Sequence, residues 1–113
     1  MPYINVKTNT PIAADKAAAI KSALGQAITA IPGKSEQWLR VGIEAEQMLW
    51  FQGSDAPAAM VEVSVFGSAS ASACDDLTGR ICSILSENLG ISPARIYVKY
   101  AETDKWGWNG GNF

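Results

Sequence analysis

Laid against itself with a shift of 57 residues and no gap, the sequence repeats its own hydrophobic template. Ile4 falls on Val61, Val6 on Val63, Ile20 on Leu77, Leu24 on Ile81 and Ile28 on Leu85. Gly33 then meets Gly90, Ser35 meets Ser92, Leu39 meets Ile96 and Val41 meets Val98. A chain with this pattern must build one unit twice: a short alternating run, a helical run, a glycine and a second alternating run. With 113 residues it has material for one compact core. The expectation is a single domain over residues 1–113, with pseudo-repeats of about 2–57 and 58–113.

Residues 3–8 alternate Ile4 and Val6 with polar neighbours, the period of a strand with one buried face. Over residues 13–31, Ala17, Ile20, Leu24, Ala27, Ile28 and Ile31 recur at three and four and draw one helical stripe. Gly33 suits the left-handed position beyond it. A second strand is expected over 38–44 and a short one over 47–51, before a turn at Gly53. In the second half the strands are expected at 59–66 and 95–101. Between them runs a helix with Leu77, Ile81, Ile84, Leu85 and Leu89 as its stripe, Ser72 and Asp75 as its cap, and Gly90 as its end.

Two such βαβ units give an α+β fold. Crossover helices force the strands within each unit to be parallel, and right-handed crossovers put both helices on one face of a four-stranded mixed sheet. The other face carries Tyr3, Met60 and Tyr97 and needs a cover, so the chain is expected to associate with copies of itself.

Several classes of function are excluded at this level. Nine basic against eleven acidic residues leave no electrostatic footprint for a nucleic acid. No apolar run is long enough to cross a membrane, and no signal peptide is present, so a cytoplasmic location is expected, with secretion by another route as the alternative. The chain has no histidine, which removes Ser-His-Asp and Cys-His machinery and histidine-based metal sites. Neither metal nor cofactor is expected. Cys74 and Cys82 lie about 12 Å apart along one helix, too far for a disulfide, and read as small buried hydrophobes in a reducing compartment.

Met1-Pro2 followed by a strand and Thr8-Asn9, then Gly33-Lys34, Phe51-Gln52-Gly53-Ser54, Ile91 to Tyr97, and Gly107-Trp108-Asn109 with Phe113 occur in that order across nearly the whole chain. Together these segments resemble the macrophage migration inhibitory factor family of the tautomerase superfamily. The resemblance implies a duplicated βαβ fold, a homotrimer with sites between neighbouring subunits, and a keto-enol tautomerase acting on phenylpyruvate-like α-keto acids. It implies Pro2 as general base, Lys34 as the group that meets the substrate carboxylate, and the backbone N–H of Phe66 as a further contact. It also implies that Tyr97 reaches in from a neighbouring subunit. Trp38, Trp106, Trp108 and Phe113 would form apolar walls for a phenyl ring. Lys99 departs from the asparagine of better-known members. A non-catalytic, cytokine-like protein that binds a receptor is the alternative, as is a different unsaturated-acid substrate.

The chemistry of Pro2 depends on processing. Inside a chain its nitrogen is an amide; as the first residue it is a secondary amine. An α-amino group titrates near 7.7 to 8.0, and burial lowers the value, so an N-terminal proline in an apolar pocket is a neutral base near pH 7. The bland reading is that Pro2 starts a strand where a missing N–H costs nothing. Intact-mass measurement of the expressed protein is expected to give a species lacking Met1; a mass that retains it contradicts this assignment of the base.

Overall fold

A computed structural model describes all residues, Met1 to Phe113. The chain runs β1 (Pro2–Thr8), α1 (Ala14–Ala27), β2 (Arg40–Glu44), β3 (Ala59–Phe66), α2 (Ala71–Leu89) and β4 (Ile96–Thr103). A small C-terminal hairpin of β5 (Gly107–Trp108) and β6 (Gly111–Asn112) follows. β1 is parallel to β2, β3 is parallel to β4, and β1 pairs antiparallel with β3, giving the order β2-β1-β3-β4. This is the expected mixed sheet.

The period-two runs bury one face. Ile4 and Val6 of β1 and Val61, Val63 and Val65 of β3 are essentially inaccessible. They share one core with Ile20, Leu24 and Ile28 from the first half and Leu77, Ile81 and Leu85 from the second. Both helices therefore cover the same face and pack on each other. Thr8, the buried polar residue at the end of β1, donates from Oγ1 to the carbonyl of Ala58 at 2.7 Å. Its hydroxyl is thus accommodated in the core.

Four local expectations change. The 13–31 stripe is not one helix: α1 ends at Ala27, a 3-10 turn covers Ile28–Ala30, and Gly33 (φ 82°) serves a tight turn in which the Lys34 N–H donates to the Ile31 carbonyl. Pro32 followed by a positive-φ glycine is the pattern of a type II turn. Trp38 lies in a 3-10 turn, Glu36–Trp38, ahead of β2 rather than in it. Residues 47–51 form no strand, because Phe51 pairs only with Ser54 across the Gln52-Gly53 turn. The cap of α2 is Ser70, whose Oγ accepts from the Ala73 N–H, so Ser72 and Asp75 fall inside the helix. Gly90 ends it with φ 68°.

The repeat extends to the turns. Gln52 and Gly53 have φ values of 52° and 74°, and Asn109 and Gly110, 57 residues later, have 52° and 88°. Each tip packs on the other half of the chain. Phe51 packs edge-on to Tyr97 at 5.0 Å, and Trp108 packs edge-on to Trp38 at 5.4 Å. Because Ile81 is fully buried between the helices and the sheet, Ile81→Ala should destabilise the protein by about 2–5 kcal/mol in denaturant melts. The exposed Lys16→Ala should stay within about 0.5 kcal/mol of the parent.

Candidate active site

The antiparallel join brings the start of β1 and β2 to the same end of the sheet as the close of β3 and β4. Pro2 pairs with Val65 and Tyr3 with Ser64 on one side, while Tyr3 lies beside Arg40 on the other. The turn after α1 delivers Lys34 to this end, and the C-terminal hairpin folds over it. A cavity of about 810 Å³ results, with buried Pro2 in its wall together with Tyr3, Trp38, Arg40, Ser64, Thr103, Trp106 and Trp108.

Two edge-to-face aromatic pairs hold the hairpin down: Trp108 on Trp38, and Phe113 on Phe66 at 5.2 Å. The Phe113 N–H also donates to the Trp106 carbonyl at 3.2 Å. Such pairs add about 0.5–1.5 kcal/mol beyond the area they bury. Trp106, Trp108 and Phe113 are thereby fixed relative to the sheet.

Lys34 and Phe66 form the inner flank. The Lys34 Nζ donates to the Phe66 carbonyl at 2.9 Å, and the Phe66 N–H donates to the Met1 carbonyl at 3.0 Å. Met1 lines the cavity, while Lys34, Phe66 and Phe113 do not. Burial lowers the Met1 amine below the ordinary α-amino range, and the neighbouring Lys34 charge and its hydrogen bond lower it further. Met1 thus occupies the Phe66 donor and the approach to Lys34.

Of the residues singled out in the sequence, Pro2, Lys34, Trp38, Phe66, Trp106, Trp108 and Phe113 converge on this end. Tyr97 does not. It is the second residue of β4, at the opposite end beside Met60, and is 60% exposed. Lys99 lies on the open face of the sheet, 4.0 Å from Glu62. Arg40, Ser64 and Thr103 in the cavity wall are not among the residues the sequence singled out, and Tyr3 stands there only as part of the open face. The period-two pattern put Tyr3 on the open face, but only the register of β2 on β1 brings Arg40 beside it. Cys74 and Cys82 are free and half-buried, and burial is the leading cause that pushes both thiols up.

The family model for macrophage migration inhibitory factor matches residues 1–113. The chain belongs to the macrophage migration inhibitory factor family. It is 30% identical to the mouse macrophage migration inhibitory factor over 115 residues, covering 100% of this chain and 99% of the relative. It is also 30% identical to the homologue of Trichinella spiralis over 115 residues, with 100% of both chains covered. Among solved structures, Leishmania major MIF2 superposes with a TM-score of 0.94 at 34% identity, covering 100% of this chain and 97% of that one. Membership in this family of the tautomerase superfamily supports tautomerase activity in general.

The Met1 amine provides a direct probe of this site's electrostatics. In protein that retains Met1, its amine should titrate below the ordinary range of about 7.7–8.0. Lys34→Gln should raise that value by removing the positive neighbour. Reactivity of the α-amine with an acylating reagent across pH reads both values; an unchanged midpoint in Lys34→Gln contradicts the role given to that charge.

Proposed function

We propose that the protein is a cofactor-independent keto-enol tautomerase of phenylpyruvate-like α-keto acids, with Pro2 as general base once Met1 is removed. The observation that carries this reading is the burial of Pro2 in a cavity walled by three tryptophans, beside Lys34 and the Phe66 N–H. Loss of Met1 does three things at once. It turns the Pro2 nitrogen from an amide into an amine, releases the Phe66 N–H, and opens the way to Lys34.

The chemistry follows from these groups. The Lys34 ammonium attracts the substrate carboxylate, and the Phe66 N–H offers a hydrogen bond to the same region. The tryptophan walls hold the ring and exclude water. Neutral Pro2 takes the enol hydroxyl proton as the carbonyl forms, and the resulting ammonium delivers a proton to the adjacent carbon. The net change is a moved proton and a shifted double bond, so no redox partner is required. Burial and the nearby Lys34 both favour the neutral amine, which keeps the base available near pH 7.

In this reading the protein is a homotrimer. Met48 (89% exposed), Trp50 (62%) and Tyr97 form large exposed apolar groups at the end of the sheet remote from Pro2. A neighbouring copy covers them and brings Tyr97 to its own Pro2. The substrate is a small molecule; nucleic acid and membrane have no part in it.

Replacing Pro2 by glycine leaves a primary amine on a freer backbone. In the processed protein, Pro2→Gly should lower kcat/KM for phenylpyruvate by about 10²-fold or more, within the usual contribution of a positioned base. Circular dichroism and trimer size should be unchanged. Full turnover in a correctly processed Pro2→Gly trimer contradicts the assignment.

A further inference from the structure

Arg40 is the single charged side chain in the cavity wall, and no carboxylate lines that wall. The chain has nine lysines and arginines. Lys21, Arg80, Lys99 and Lys105 sit against carboxylates, while Lys34 and Arg95 donate to backbone carbonyls. Lys7, Lys16 and Arg40 make neither an ion pair nor a side-chain hydrogen bond, and of these three only Arg40 lines the cavity, beside Tyr3. The scaffold does not demand a cation there, because the repeat places Tyr97 at the equivalent position of the second half.

The placement of the two cations is specific. Lys34 is tied to Phe66 on β3, Arg40 begins β2, and β1 with Pro2 runs between them. Two strand spacings separate these flanks, about 10 Å. Phenylpyruvate carries one carboxylate and matches one of the two charges. An arylpyruvate with an acidic group on its ring matches both, with the ring against the tryptophans and the reacting carbon near Pro2.

We propose that Arg40 makes the site selective for dianionic 2-keto acids, its guanidinium binding the second anionic group while Lys34 binds the carboxylate next to the keto carbon. The substrate class rests on the tautomerase reading of Pro2, but the two-cation site is testable without turnover. Cinnamate and para-carboxycinnamate have the same shape, one and two carboxylates, and no tautomerisable keto group. Their binding to the processed protein can be followed by quenching of tryptophan fluorescence, alongside turnover of phenylpyruvate and para-carboxyphenylpyruvate.

The parent protein should bind para-carboxycinnamate about tenfold more tightly than cinnamate, the scale of a charge-assisted hydrogen-bonded pair. Arg40→Gln should abolish that ratio, Arg40→Lys should retain part of it, and added salt should shrink it. The same ratio should appear in kcat/KM for the two keto acids. Equal binding of the two cinnamates by the parent, or an unchanged ratio in Arg40→Gln, overturns the proposal. So does a change of assembly size in Arg40→Gln, which would assign the guanidinium to the neighbouring copy. An Arg40-dependent binding ratio without turnover of either keto acid leaves the two-cation site standing and removes the tautomerase reading.

Discussion

β1 and β3 pair antiparallel along their whole length, from Pro2 opposite Val65 to Thr8 opposite Ala59. Each strand is parallel to its other neighbour, so this one antiparallel seam joins two equivalent βαβ halves head to tail. The two ends of the sheet become near-copies of each other. Each receives the start of one unit, the close of the other, and an aromatic-bearing turn that packs on the opposite half. At one end the central strand starts with Pro2, directly after Met1, while at the other it starts with Ala59, in mid-chain.

The second end is also closed by its own side chains. The Arg95 guanidinium donates to the carbonyls of Ser54, Ala56 and Pro57 and lies 5.2 Å from the Phe51 ring centroid. Asn9 donates to the carbonyls of Leu49, Asp55 and Ala56 and accepts from the Ala58 N–H. Trp38 occupies the position equivalent to Arg95 in the first half and leaves a cavity beside it. The same scaffold therefore makes a packed structural end and an open end, and the difference lies in a few side chains on a shared backbone.

The sequence made the scaffold legible because the buried positions of β1, β3, α1 and α2 are set by strict periods of two and of three to four. Ile4, Val6, Leu24 and Leu77 declared themselves in this way. Elements without a buried face were harder. Met48, Leu49, Trp50 and Phe51 have apolar side chains but no strand to pair with beyond the single Phe51–Ser54 bridge, and Ser70 is distinguished from Ser72 only by where the helix starts. The resemblance supplied most of the candidate site, since it singled out Pro2, Lys34 and the aromatic tail, which converge on one end of the sheet. Arg40 was missed because its importance comes from the β1–β2 register, and no local pattern around it encodes that register. Tyr97 stays remote from Pro2 within one chain, which fits a role that only a neighbouring copy supplies.

The proposed proton transfer requires a neutral proline amine at the open end of the sheet. The most direct measurement is a pH titration of the Pro2 nitrogen by NMR in ¹⁵N-labelled, processed protein, compared with the acid limb of kcat/KM for phenylpyruvate. Burial and Lys34 should hold the amine below the ordinary α-amino range of about 7.7–8.0, and activity should fall on acidification with the same midpoint as the amine's own protonation. A Pro2 midpoint at or above about 8, or an acid limb that does not follow it, contradicts Pro2 as the base.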